Sequence, residues 1–297
     1  MKKVSKNAFN SILLEKNVMN LQKTIFDFER NTRGKKWRTA LGTVIRKLWP
    51  DFYLAHYFPI NHPRIRKMIF KKLKPLRKGY EKLFTMTLAD WLIYHQKNIH
   101  FNKCRWMGVR ALKNPLDAWI YQEIIYDVKP DVIIEIGSNE GGSTLYLAHL
   151  LDLIGKGIVI SIDTDRTNYK ISHKRIVAIT GNSSSPETLT RVAEVCQEKH
   201  TLVIHDGEHS KNQVLQDLYD YSRFVTLNSY FIVEDGITDL FQPGNVLGDF
   251  DDGPLTAVEE FLKENTHFTI DSEREHYILT YNPRGYLKRI NKNKKIL

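Results

Sequence analysis

The stretch "DVIIEIGSNEGGSTLYLAHLLDLIG" (131–155) decides the fold. Its first seven residues hold an apolar, β-branched run (132–136) broken only by Glu135, which reads as a strand covered on both faces. From Gly141 onward the apolar residues fall at helical spacing, so a tight glycine-rich turn leads directly into a helix. The rhythm repeats downstream: "GIVISID" (157–163), "RIVAITG" (175–181), "TLVIHDG" (201–207) and "SYFIVEDG" (229–236) read as four more strands. Between them, "PETLTRVAEVCQE" (186–198) and "NQVLQDLYDYSRFV" (212–225) read as helices, as does "PLDAWIYQEIIYDVKP" (115–130) ahead of the first strand. Strands alternating with amphipathic helices predict an α/β domain with a doubly wound, mainly parallel sheet. In such sheets ligands bind outside the carboxyl ends of the strands.

The rest of the chain differs. Of 297 residues, 42% are apolar, enough for a substantial core. No apolar run approaches the roughly 20 residues that span a bilayer, and the start, "MKKVSKNAFNSILLEKN", carries no cleavage site of a signal peptide. Cys104 and Cys196 fit reduced thiols in a cytoplasmic protein. The net charge of +10 is lopsided: residues 1–80 hold 20 Lys/Arg against 4 Asp/Glu, and the remaining 217 hold 24 against 30. We therefore expect a basic, mostly helical N-terminal extension over 1–100 and the sheet domain over 101–297. The stretch "RIRKMIFKKLKPLRK" (64–78) mixes cations with apolar residues, as an interfacial helix does, although Pro75 stops it early. An anionic membrane surface, an anionic glycan or a nucleic acid would each be attracted. A solvated helical face is the plain alternative. Neither helix-turn-helix nor zinc-finger spacing is present, so no nucleic-acid partner is expected.

The chemistry lies at the strand ends. "EIGSNEGGST" offers Gly137, Gly141 and Gly142 for close backbone approach to a ligand, without the dinucleotide G-x-G-x-x-G or a P-loop GK[ST]. "SIDTD" places Asp163 where a carboxylate accepts hydrogen bonds from a ribose diol; Asp165 reads equally as a solvated loop acid. The polar "TGNSSS" (180–185) borders an adenine ring or merely turns the chain. "VIHDGEHS" (203–210) and, 28 residues after Asp206, the pair Glu234-Asp235 bring three acids to adjacent strand ends. Like charges that close repel strongly, so a bound cation is the simplest compensation. All-oxygen ligation suits Mg²⁺ or Mn²⁺ rather than zinc.

Taken in this order and spacing, "IIEIGSNEGGST", "VISIDTD", "VIHDGEHS" and "FIVEDG" resemble the metal-dependent class I S-adenosylmethionine O-methyltransferases, most closely the cephalosporin-hydroxylase/rhamnosyl and macrolide-sugar O-methyltransferase group. The resemblance covers roughly residues 105–290, including "DGPLTAVEEFL" and "LTYNPRGYLKR". It implies a Rossmann-like methyltransferase fold with Glu135, Gly137 and Ser143 around the methionine moiety of S-adenosylmethionine, Asp163 on the ribose and Ser183 near the adenine. It also implies Asp206, Glu234 and Asp235 on Mg²⁺, His209 as general base, and a sugar or glycoconjugate hydroxyl as acceptor. Catechol-type relatives carry lysine where His209 stands and asparagine in place of Asp235, so the likeness runs toward the sugar group. A homo-oligomer and a cytoplasmic enzyme, peripheral at the inner face of a membrane, complete the expectation. The chemistry is coherent on its own terms: a sugar hydroxyl is a poor nucleophile, a divalent cation lowers its pKa, and a neutral imidazole takes its proton. "LFQPGNVLGDFDDGPLTAVEEFL" (240–262) reads as a mobile loop before a helix near Ala257–Leu262.

Two alternatives stand beside this reading. One is an Fe(II)/2-oxoglutarate hydroxylase with its metal on the HDGEH stretch, held by His205, His209 and a carboxylate, a chemistry usually housed in an antiparallel double-sheet barrel. The other is a non-enzymatic membrane- or nucleic-acid-binding protein driven by the basic segment.

Overall fold

The computed structural model describes residues 86–241 and 252–290. The chain divides into two units, residues 1–83 and 84–297. The basic segment proposed to meet a membrane and most of the loop at 240–253 lie outside the described residues.

The second unit begins with α1 (Leu88–His95), which runs on through a π-helical turn, Gln96–His100, and one last α turn, Phe101–Lys103. Residues 84–100, counted with the extension on sequence, belong to this unit. A small hairpin, β1 (Arg105–Trp106) and β2 (Val109–Arg110), precedes α2 (Pro115–Val128). The chain then alternates: β3 (Val132–Ile136), α3 (Gly142–Ile154), β4 (Ile158–Asp163), β5 (Ile176–Thr180), α4 (Pro186–Cys196), β6 (Thr201–His205), α5 (Lys211–Tyr221), β7 (Tyr230–Val233). It closes with α6 (Pro254–Glu264), β8 (Phe268–Ile270) and β9 (Tyr286–Arg289). The five predicted strands are β3 to β7, all parallel. The last two strands are antiparallel additions not expected from sequence, giving the order β5-β4-β3-β6-β7-β9-β8.

Local rules explain the helix starts. Asn114 caps α2 with its side-chain oxygen on the Leu116 amide (3.2 Å), Ser185 caps α4 on Thr188 (3.2 Å), and both helices open with proline at the first position. The continuous apolar run of β3 is buried along its whole length because helices cover both faces of the sheet. Its alternate side chains divide between two cores. Val132, Ile134 and Ile136 pack with Val192, Val214, Leu218 and Phe261 of α4 to α6, whereas Ile133 packs with Ile120, Ile124, Leu147 and Leu151 of α2 and α3. Gly142 begins α3 because the helix passes directly under β2: a Cβ there would lie 2.0 Å from the Arg110 carbonyl oxygen.

The strand order places the site. From β3 the chain winds outward to β4 and β5, then returns to the other side of β3 as β6 and β7. The crevice between the carboxyl ends of β3 and β6 is thus the topological switch point of the sheet, where a ligand can enter between diverging loops. Asp117, in the first turn of α2, ties that helix to residues 280–286 at β9. Its buried carboxylate accepts from Thr280 Oγ1 (2.5 Å), the Tyr281 amide (2.8 Å), Tyr286 Oη (2.9 Å) and Asn114 Nδ2 (2.9 Å). Burial lifts its pKa to about 6, against the pull of those four donors.

Candidate active site

A cavity of about 730 Å³ opens at the switch point. Gly137, Ser143, Asp163, Ser183, Asp206, His209 and Asp235, all singled out on sequence, line it. Glu135 and Glu234 do not. Glu135 shares the parity of Ile133 and therefore faces α3, where its buried carboxylate accepts from Thr144 Oγ1 beneath the first helical turn. Burial raises its pKa, opposed by the charge of Lys113.

The turn after β3 is set by contacts on both sides. Gly137 has a φ of +83°, and a Cβ on it would lie 2.0 Å from the carbonyl oxygen of Asp206 at the end of β6. Only glycine allows the two strand ends to approach so closely. From the other side, Asp163 Oδ2 accepts the amides of Ser138 (2.9 Å) and Asn139 (2.8 Å), and Oδ1 accepts the Asp165 amide (3.1 Å). Burial alone would raise the pKa of Asp163; the three amides and Arg166 outweigh it and hold the group ionised below its ordinary range. With the Ser138 hydroxyl at 3.5 Å, these amides commit most of the about four acceptor sites on this carboxylate to the protein.

Arg166, which sequence reasoning missed, staples the same region. Its guanidinium donates to Ser138 Oγ (2.7 Å), Ser161 Oγ (3.1 Å), the Ser161 carbonyl (2.6 Å) and the Ile179 carbonyl (2.9 Å), and stacks on Tyr169 at 4.4 Å. At the third strand end, the Ser183 carbonyl accepts from Tyr221 Oη (2.7 Å), which fixes the "TGNSSS" segment against α5.

The acid cluster is balanced by a cation supplied by the chain. Lys113, buried just before α2, sends its ammonium between Asp206 and Glu234; the contact to Glu234 Oε1 is 2.8 Å. Burial would push the ammonium pKa down, but Asp206, Glu234 and Glu135 together hold it well above its usual value. Glu234 is pushed far up by burial and by repulsion from Asp206, with Lys113 opposing. Asp206 is likewise raised by burial, again against Lys113. Asp235 behaves oppositely: burial would raise it, yet the hydrogen bond and charge of His209 bring it below its ordinary value. His209 Nε2 lies 2.8 Å from Asp235 Oδ2 and 3.9 Å from Asp206 Oδ1. Burial would lower this imidazole, but Asp235 and then Asp206 lift it to about 9. Asp206, His209 and Asp235 offer ligand atoms that all lie within 4.8 Å of one another. Glu234 stands apart from that trio, held by Lys113.

The two histidines of the HDGEH stretch do not converge. His205 is buried with Nε2 3.1 Å from Asp217 Oδ2, whereas His209 turns to Asp235. The sheet is also open and mainly parallel. Both observations run against the iron-hydroxylase alternative. Tyr286 belongs to the core, fully buried with its hydroxyl on Asp117. No helix among the described residues is long and apolar enough to cross a membrane.

Known proteins resemble this chain in sequence and in fold. The family described as Rhamnosyl O-methyltransferase/CmcI matches residues 98–290. The rhamnosyl O-methyltransferase of Mycobacterium leprae is 30% identical over 202 residues, covering 66% of this chain and 82% of that protein. The rhamnosyl O-methyltransferase of Mycobacterium tuberculosis is 28% identical over 204 residues, with the same coverage of each. Among solved structures, CmcI with Mg and S-adenosylmethionine superposes with a TM-score of 0.51 at 22% identity, over 65% of this chain and 79% of that one, a likeness of fold.

Proposed function

The chain belongs to the rhamnosyl O-methyltransferase/CmcI family, and from that premise we propose that it is an S-adenosylmethionine- and Mg²⁺-dependent (or Mn²⁺-dependent) O-methyltransferase acting on a hydroxyl of a sugar or glycoconjugate. The observation that carries the reading is the meeting of Asp206, His209 and Asp235 in the same cavity as Gly137, Ser143, Asp163 and Ser183. The residues present fit both groups. Two carboxylates and an imidazole with donor atoms within 4.8 Å suit a divalent cation, and Lys113 already balances the Asp206–Glu234 pair with positive charge. A glycine turn, an ionised acid and a polar third strand end suit a nucleoside sulfonium.

S-adenosylmethionine supplies an activated methyl group, and a divalent cation lowers the pKa of the acceptor hydroxyl and fixes its oxygen. The remaining work belongs to the chain. Gly137 and Ser143 border the methionine moiety, Asp163 holds the turn rigid and faces the ribose, and Ser183 borders the adenine. Holding methyl and hydroxyl in line supplies much of the acceleration. His209 takes the hydroxyl proton at Nε2. With Asp235 fully charged beside it, the imidazole is itself protonated near pH 7; positive charge on Asp206 and Asp235 removes that pull and frees the nitrogen to act as a base. Asp206 and Asp235 would hold the cation, while Glu234, the third acid at these strand ends, stays with Lys113.

One observation favours a second assignment of the same residue. Glu234 is committed to Lys113 while His209 stands within the trio, so His209 itself could serve as the third ligand. The His209→Ala variant separates the two: unchanged Mn²⁺ affinity by spin-resonance titration, with activity lost, marks a base, and weakened Mn²⁺ binding marks a ligand. The overall reading is tested by calorimetric titration of S-adenosylmethionine into wild type and Asp163→Ala. Saturable binding that the variant loses supports it; absence of binding to wild type, with or without Mg²⁺, refutes it.

The basic residues 1–80 are assigned to contact with an anionic membrane surface, on the strength of 20 Lys/Arg against 4 Asp/Glu. Salt-sensitive sedimentation of the full chain with anionic vesicles, and none with neutral ones, is the expected result; equal sedimentation with both refutes it.

A further inference from the structure

The cavity has a wall that neither the cofactor nor the cation accounts for. Gln96, His100 and Phe101 line it, and they come from the π-helical turn that continues α1. Such turns are uncommon and concentrate at functional sites, because the extra residue per turn re-aims the side chains that follow. Both polar residues of this wall are about as buried as core residues, each only 4% exposed. Yet among the described residues Gln96 Oε1 and His100 Nδ1 have no hydrogen-bond partner. Leaving a buried polar atom unpaired costs roughly 1–3 kcal/mol, and native proteins tolerate few of them. Two on one turn, both lining one cavity, mark a place where a ligand completes the bonds.

The wall is rigid before any ligand arrives. Thr87 and Asp90 close a capping box at the start of α1, with Asp90 N–H on Thr87 Oγ1 at 3.0 Å. Trp91 stacks on His95 at 4.8 Å, and His95 Nδ1 bonds Tyr281 Oη at 2.7 Å. Tyr281 is in turn held by Asp117. The His100 ring sits edge-on to Phe101 (4.8 Å) and Tyr281 (5.3 Å), so its orientation is fixed by packing.

Position and charge indicate what this wall recognises. The charges felt most strongly by His100 are those of Asp235 and Lys113, which places it at the acid-cluster end of the cavity and not at the nucleoside end. Burial lowers its imidazole to about 4, so the ring is neutral at physiological pH. A neutral imidazole and an amide bind hydroxyls, whereas an anionic group would meet Asp206 and Asp235, and Arg110, a cation of the same cavity, is committed to Glu140 at 3.0 Å. The adjacent Phe101 offers an apolar surface against which the C–H face of a pyranose can rest.

We propose that Gln96 and His100 form a subsite for the acceptor sugar, binding ring hydroxyls next to the one that is methylated, with Phe101 beneath the ring. The assignment rests on the O-methyltransferase reading above and adds the residues that select the acceptor.

The test uses the full-length protein with Mg²⁺ and S-adenosylhomocysteine, and methyl α-rhamnopyranoside as probe, followed by saturation-transfer NMR. Wild type binds the glycoside saturably. Gln96→Met and His100→Phe each weaken it by about tenfold or more, while His100→Asn, which keeps a polar atom near the place of Nδ1, recovers most of the affinity. Calorimetric affinity for S-adenosylmethionine stays within about twofold in all three variants, since none borders the nucleoside. Glycoside binding unchanged in both Gln96→Met and His100→Phe overturns the subsite, as does a wild type that binds S-adenosylmethionine but not the glycoside. If His100→Phe fails to fold, Gln96→Met and His100→Asn decide by the same criteria. Failure of wild type to bind S-adenosylmethionine removes the underlying reading and the subsite with it.

Discussion

Substituting Gly137 by alanine should damage both stability and cofactor binding, by an amount that a second glycine calibrates. At Gly137 the new Cβ would lie 2.0 Å from Asp206 O, 2.5 Å from Asp206 C and 2.6 Å from Gly207 Cα. All three are backbone atoms, so no side chain can swing aside. The alanine also inherits a φ of +83°, which costs a non-glycine residue about 1–2 kcal/mol. Relieving the contact requires parting the ends of β3 and β6 by more than 1 Å against the bond from the Asp206 amide to the Ile136 carbonyl (2.7 Å). Overpacking of that kind costs about 1–3 kcal/mol, for a combined loss of roughly 2–5 kcal/mol. In a unit of this size each kcal/mol lowers Tm by about 2–4 °C. Gly155, at the end of α3, has nearly the same φ, +86°, and a Cβ there meets nothing within 4 Å. Gly155→Ala therefore carries the conformational cost alone. Thermal unfolding should place Gly137→Ala well below Gly155→Ala, and calorimetry should show weakened S-adenosylmethionine and Mn²⁺ binding only in the former. Equal melting temperatures for the two variants, or unaltered binding by Gly137→Ala, would refute the claim that this glycine exists to let the cofactor turn and the acid cluster touch.

Three further outcomes follow from the same site. Lys113→Met leaves Asp206 and Glu234 buried without their cation, a loss of about 3–5 kcal/mol; melting in chelator should fall sharply, and added Mg²⁺ should raise Tm more than in wild type. The imidazole of His209, raised to about 9 by Asp235, should titrate by NMR well above an ordinary histidine in metal-free protein and move down when Mg²⁺ is added. Because its folded pKa is raised, its contribution to stability is complete below about pH 6.5 and is lost as pH climbs through about 9; His209→Ala should flatten that alkaline limb. Arg166→Ala removes the staple on Ser138, Ser161 and Ile179 and should weaken S-adenosylmethionine binding about tenfold, worth roughly 1.4 kcal/mol, with a lowered Tm; unchanged affinity would mean the turn is held by Asp163 alone.

What the sequence revealed and what it hid separate along a physical line. Strands β3, β4, β6 and β7 were legible because a parallel strand covered on both faces reads as a near-continuous apolar run of four to six residues, and β5, partly exposed at the sheet edge, because its run is rich in Ile and Val. The acids and glycines were legible because each sits where such a run ends. Strands β8 and β9 were not: they are three and four residues long, and Pro283 and the left-handed Arg284 (φ +60°) break the approach to β9. Glu135 and Glu234 show the limit more sharply. Strand-end position placed both near the ligand, but which face a side chain takes, and which partner claims it, depends on elements far away in the chain. Lys113 is 93 residues from Asp206 and 121 from Glu234, and nothing local distinguishes it from a surface lysine.

The same separation bears on how the site can switch between states. Three acids are bound to two protein cations in the metal-free chain: Asp206 and Glu234 to Lys113, Asp235 to His209. A divalent cation arriving at Asp206 and Asp235 would compete with both, since each carboxylate can satisfy only so much positive charge at close range. Lys113 cannot leave for water, being 7% exposed, so its remaining partner is Glu234, while the His209 side chain, 22% exposed, is the more accessible of the two. The cation that gives way is therefore expected to be His209, the group whose proton the reaction needs removed. On this argument metal binding and activation of the base are one event, and the proton released per Mg²⁺ bound near pH 7, measured by calorimetry in buffers of different ionisation enthalpy, should approach one in wild type and fall toward zero in His209→Ala. A wild-type value near zero would show that His209 keeps its proton and does not serve as the base.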